Sequence, residues 1–168
     1  FYLFIKTLIM KTIITLLFTL SASIIFAQVN FNTGSKELDM NLNIINEDAS
    51  KDFKSFRKQL SSDFNIDEPK IESMRVSLGL IPGEIYMALE ISRNSPSSLD
   101  DVLRIYQKNK DKGWGYIAKQ AGIKPGSPAF HRLKNNAKGK KDKVKGKPAR
   151  VKVKHKKKAK GKPHKGRR

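Results

Sequence analysis

The sequence predicts a mainly α protein, a small bundle of about five to six short helices followed by a disordered Lys-rich tail. Two observations carry that expectation. Between residues 47 and 133 apolar side chains recur at spacings of three and four, interrupted repeatedly by Gly and Pro. From Lys134 to Arg168 the periodicity gives way to eighteen Lys or Arg against one acid, Asp142, so +17 of the formal +20 lies in the last fifth of the chain. A segment so charged and so poor in apolar residues cannot bury enough surface to offset the entropy of ordering it.

Residues 1–27 read as a secretory signal, with 1–9 upstream of a start at Met10. Lys11 precedes the apolar run 13–20, the small residues Ser21, Ala22 and Ser23 follow, and Ala27 ahead of Gln28 marks the cut. Ile25, at the minus-three position, is bulkier than the residue usual there. The alternative is an uncleaved anchor that tolerates Lys6 and Lys11, but the apolar core is short for a bilayer span. Cleavage would leave no integral membrane span.

Residues 28–46 form an Asn-rich lead-in in which Leu38, Met40, Leu42 and Ile44 alternate with polar residues. Alternation suits a strand, yet no partner strand is in view, so an extended or irregular stretch is expected. The helical domain, 47–133, begins where the period changes: Phe53, Phe56, Leu60 and Phe64 fall on one stripe, with Asp48 or Ser50 as cap. Pro69 suits the first turn of a second helix presenting Ile71, Met74, Arg75 and Leu78, which Gly79 stops. Pro82 opens a third, with Ile85, Leu89 and Ser92 on a stripe, ending near Asn94. Ser98 and Asp101 have capping-box spacing for a fourth, which turns Leu99, Val102, Leu103 and Tyr106 inward. After a break at 108–113, Trp114, Ile117, Ala118 and Ala121 make a short helix ended by Gly122, and Ser127-Pro128 opens the last, with Phe130 and Leu133.

Gly122-Ile-Lys-Pro-Gly126 echoes Gly79-Leu-Ile-Pro-Gly83 at an offset of 43, and Trp114, Ile117 and Ala121 fall on Ile71, Met74 and Leu78. Two helical hairpins joined by the helix at 98–109 would account for it; chance recurrence of Pro-Gly turns is the alternative. The Gly-Trp-Gly helix, the Gly-Ile-Lys-Pro-Gly-Ser turn and the Phe-His pair resemble a segment of small exported bacterial proteins of uncharacterised function. The resemblance covers about residues 97–134 and implies a small helical exported domain, with no activity and no catalytic residue to carry over. The stretch 114–134 also has the Ala and Gly placement of a helix-turn-helix, but Phe130 and Leu133 arrive two places late for its second helix.

The chain has no Cys, which excludes disulfide scaffolds, thiol nucleophiles and Cys-ligated zinc. No phosphate-binding Gly loop, nucleophile elbow or His-Glu-x-x-His occurs, so no enzyme, cofactor or metal is read. His131 is alone in the body, and Glu84, Glu90, Asp100 and Asp101 read as helix-start and surface acids. Trp114, Tyr116, Phe130 and His131 are candidates for stacking or for core. The polyanion-binding candidates are Lys138, Lys140, Lys141, Lys143, Lys145, Lys147, Arg150, Lys152, Lys154, Lys156, Lys157, Lys158, Lys160, Lys162, Lys165, Arg167 and Arg168. Lys outnumbers Arg among them, which suits loose attraction to an anionic polymer, whether polysaccharide, lipopolysaccharide or nucleic acid, better than bidentate reading of bases. The body, 28–133, carries fifteen basic and fourteen acidic residues, a net +1, and has no evident part in that attraction. The expectation is therefore an exported, non-enzymatic binder of anionic polymers in the periplasm or outside the cell; the alternative is an intracellular nucleic-acid binder using 114–134.

Overall fold

The computed structural model describes residues 29–144, so the expected signal segment and the basic stretch beyond Val144 lie outside the described residues. The chain divides into Phe1–Asn30 and Phe31–Arg168, and every described helix belongs to the second unit. There are seven α-helices among the described residues and no strand: α1 Lys36–Lys51, α2 Phe53–Phe64, α3 Glu68–Val76, α4 Pro82–Asn94, α5 Leu99–Lys108, α6 Gly113–Gln120 and α7 Pro128–Val144, with a 3-10 turn at Lys110–Lys112. No described helix is long and apolar enough to cross a membrane.

The bundle is built around α4. Its residues Ile85, Tyr86, Met87, Ala88, Leu89, Glu90 and Ile91 are all buried, and a helix covered on every side belongs in a core. It touches α1, α2, α3, α5 and α7. Pro82 supplies a first-turn φ at no loss of a hydrogen bond, and the Glu84 carboxylate turns back to accept from the Ile81 N–H at 3.1 Å. Around it α5 shows the simpler pattern, with Val102, Leu103 and Tyr106 inward and a capping box between Ser98 and Asp101.

The lead-in is helical where an irregular stretch is expected. In α1 the buried residues are Leu38, Asn41, Leu42, Ile45 and Ala49, a helical stripe capped by the Ser35 hydroxyl. Leu38 and Leu42 fit both a period of two and a helical one, while Met40 is 58% exposed and a polar residue, Asn41, sits on the buried stripe. The Asn41 amide finds no hydrogen-bond partner among the described residues, a cost of about 1–3 kcal/mol. The cap of α2 is Asp52, which accepts from the Ser55 N–H at 3.0 Å, because Asp48 and Ser50 are inside α1. Its aromatic stripe is only partly core: Phe56 and Leu60 are buried, whereas Phe53 lies under Arg75 and Phe64 under Arg93, each guanidinium 4.3 Å from the ring centroid. Arg57 ties α2 to α3 through Glu68 at 2.8 Å and Glu72 at 2.6 Å.

The last helix also departs from expectation. It continues to Val144, past the boundary placed at Leu133, because Leu133, Ala137 and Lys140 fall four and three residues apart on one buried stripe. Lys134 meets Glu37 at 2.9 Å, and Lys140 and Lys143 share a groove with Asp48 and Ala49, so α7 runs beside α1 in the same direction. Of the two expected hairpins, α3 and α4 do touch, whereas α7 packs chiefly on α1 and α4. The internal similarity is likewise partial. Gly79 at φ +70 and Gly122 at φ +99 end their helices, and the next residues, Leu80 and Ile123, are both buried. Thereafter the copies diverge: Pro82-Gly83 lies inside α4, whereas Gly126 sits in a turn at φ +73 ahead of α7.

Candidate functional site

The basic stretch starts as a two-sided helix. On the inner side of α7, Lys140 is 7% exposed, its ammonium 3.1 Å from Asp63 and 3.1 Å from Gln59 and above the Phe56 ring. A buried ammonium paired in this way fastens α7 to α2, so Lys140 is withdrawn from the polyanion-binding set. Lys134 is committed to Glu37, whose carboxyl it holds below the usual range, with Lys138 and Lys141 adding to the effect. Lys138 and Lys143 are exposed, and Lys141 is half-buried beside Asp142 at 3.8 Å. The remaining candidates, Lys145 to Arg168, lie outside the described residues.

A buried carboxylate ties α7 to the centre of the bundle. Glu90 is 1% exposed and accepts from Asn94 at 3.0 Å, from Asn136 at 2.8 Å and from Arg93. Asn94 in turn accepts from Arg132 at 2.9 Å. Burial pushes the Glu90 carboxyl above its ordinary value of 4.5, against the opposing pull of Asn136, Arg93, Tyr86 and Asn94; burial likewise raises the Tyr86 phenol. An acid whose native value is raised holds its proton more tightly folded than unfolded. Its contribution to stability is therefore fully present below about 4.5 and is lost as pH rises through the native value. The Glu90→Gln protein is expected to be less stable by about 1–3 kcal/mol, because its amide N–H groups face donors. Urea denaturation at pH 4 and pH 7 should show the gap between wild type and variant widest at pH 4; a gap that widens toward pH 7 would contradict the assignment.

Trp114 is core. It is 2% exposed, stacks on Tyr106 with centroids 5.2 Å apart, and donates its indole N–H to Glu84 at 3.2 Å. The Gly residues on either side serve a backbone strap from the lead-in. Phe31 and Asn32 offer their carbonyls to the N–H groups of Trp114 and Gly115 at 2.8 and 2.9 Å, which satisfies two of the orphan donors at the start of α6. The Phe31 side chain is buried as well. Tyr116 is half-buried beneath Lys112, whose ammonium is 4.9 Å from the ring centroid; Phe130 is half-buried, and His131 is exposed on the first turn of α7. The four acids are not gathered into a pair: Glu84 serves Ile81 and Trp114, Glu90 is in the buried network, Asp100 meets Lys70 at 2.7 Å, and Asp101 caps α5 and binds Arg104 at 2.6 Å.

No protein-family model, no curated protein and no solved structure matches the chain. Geometry and charge therefore carry the functional argument. Seven residues, 121–127, separate α6 from α7, where a helix-turn-helix has three or four, and α7 lies against α1 and α4. The body's net charge of +1 conceals a division: 28–103 holds eight basic and thirteen acidic residues, 104–133 seven basic and one acidic. Three cations of the second set, Arg104, Lys108 and Lys119, are on exposed positions of the packed pair α5 and α6. The averaged charge hid this surface; a running charge along the sequence would have found it.

Proposed function

We propose that the protein is exported and binds an anionic polymer, polysaccharide, lipopolysaccharide or extracellular nucleic acid, without catalysis, through the basic stretch that follows α7 in the sequence. The observation that carries this reading is the charge of residues 145–168, thirteen Lys or Arg and no acid in twenty-four residues. The fold supports it by contrast: two of the cations on α7, Lys134 and Lys140, are consumed in holding it to α1 and α2, while Lys138 and Lys143 stay exposed, so attraction rests on those two and chiefly on residues 145–168. Binding of this kind is the release of counterions and weakens steeply with salt, by about 10³-fold or more between 50 and 200 mM for six or more contacts on a duplex.

Retention of the mature chain on immobilised heparin and on DNA, with and without residues 145–168, tests the reading. The full chain is expected to elute only at high salt and the shortened one at much lower salt; equal retention, or retention indifferent to salt, would overturn it. Export predicts a mature N-terminus at Gln28, and recovery of the uncut chain from cytosol would instead favour the nucleic-acid alternative.

A further inference from the structure

Where α5 packs on α6, a groove of about 430 Å³ opens, lined by Ser97, Asp101, Arg104, Lys108, Asn109 and Gln120. We propose that this groove binds a short run of acidic saccharide, a uronate-bearing oligosaccharide, and so gives the folded body its own hold on the polymer; the inference rests on the polymer-binding reading above.

The volume is within the range of sites for small organic ligands. Arg104 and Lys108, one helical turn apart on α5, place two cations along its wall. The Arg104 guanidinium is held at Asp101, 2.6 Å away, which fixes its orientation while leaving further N–H groups for a ligand carboxylate; Lys108 has no carboxylate partner among the described residues. Asp101 opposes an anion, but its other oxygen takes the Ser98 hydroxyl at 2.6 Å, so its charge is already shared between two donors. Of the remaining lining Ile105 is apolar; the Ser97 hydroxyl donates to the Ala121 carbonyl and the Asn109 amide to the Ile105 carbonyl, which leaves the Ser97 and Asn109 side-chain oxygens as acceptors, and Gln120 with donors and an acceptor, for sugar hydroxyls. A nucleic-acid strand would call for an aromatic platform, and none lines the groove, since Trp114 and Tyr106 are buried and stacked on each other. Around it, residues 104–124 hold six basic residues and one acid, a field that draws anions toward the opening.

The test is a titration of the ¹⁵N-labelled mature chain with tetragalacturonate, alongside an oligothymidylate of equal charge. Saturable shifts are expected at the amides of Ser97, Lys108, Asn109 and Gln120. Arg104→Ala with Lys108→Ala should weaken them about tenfold, and Lys108→Arg should retain them. Both side chains are on the surface, so an unchanged far-ultraviolet spectrum will report an intact fold. Shifts confined to residues from Lys138 onward would overturn the groove while leaving the polymer reading intact. Equal affinity of the oligothymidylate at the same amides would overturn the saccharide assignment.

Discussion

A chain ending at Leu133 is expected to lose cooperative folding, whereas a chain ending at Val144 is expected to melt within about 2 °C of the full protein and to lose only the larger part of its hold on the polymer. The first cut removes the half of α7 that carries Asn136, Ala137 and Lys140. It takes away one wall of α1, whose stripe of Leu38, Leu42, Ile45 and Ala49 is shared between α4 and α7. Uncovering two of those larger side chains costs about 1.5–3 kcal/mol each, and Glu90 loses a buried hydrogen bond worth about 1–3 kcal/mol more. Asp63 and Gln59 lose Lys140 in the same stroke. Those losses together approach the stability of about 5–15 kcal/mol that a domain of this size has to spare. The second cut touches none of these contacts. Thermal melts followed by circular dichroism separate the two truncations, and a cooperative transition near the native midpoint for the chain ending at Leu133 would refute the role given to α7.

The features legible in the sequence are those whose signals are local. The starts and stops of α3, α4, α5 and α6 can be read because Pro69, Pro82, the Ser98–Asp101 pair, Gly79 and Gly122 act within a few residues of themselves. The stripe of α1 cannot, because a buried Asn interrupts it and an exposed Met imitates a strand. Nor can the length of α7: composition alone marks Lys134 as the start of a tail, and only the facing positions of Glu37, Asp63 and Gln59, between 77 and 97 residues away in sequence, turn Lys134 and Lys140 into fold contacts. The groove beside α5 is hidden for a different reason, since its charge cancels against an acidic half of the body when the two are summed.

Two glycines should answer the same substitution with opposite signs. Gly115 opens α6 under the Phe31–Thr33 strap, and a Cβ there would lie 2.8 Å from the Thr33 carbonyl carbon, 2.8 Å from its oxygen and 2.9 Å from the Asn32 oxygen. All three are backbone atoms, which cannot swing aside as a side chain would, so the strap must lift. Lifting it weakens the bonds from Trp114 to Phe31 and from Gly115 to Asn32 and loosens buried Phe31. Overpacking at about 1–3 kcal/mol and two weakened hydrogen bonds at about 1 kcal/mol each set the expected loss for Gly115→Ala at about 3 kcal/mol. Gly139 lies inside α7, where a methyl group added at its Cα would have nothing within 4 Å, so Gly139→Ala restricts only the unfolded chain and should add about 0.5–1 kcal/mol. Urea denaturation of both variants with near-equal m-values would report the two signs directly. If Gly115→Ala were neutral, the Gly-Trp-Gly sequence would owe nothing to the strap, and another reason for its glycines would be needed.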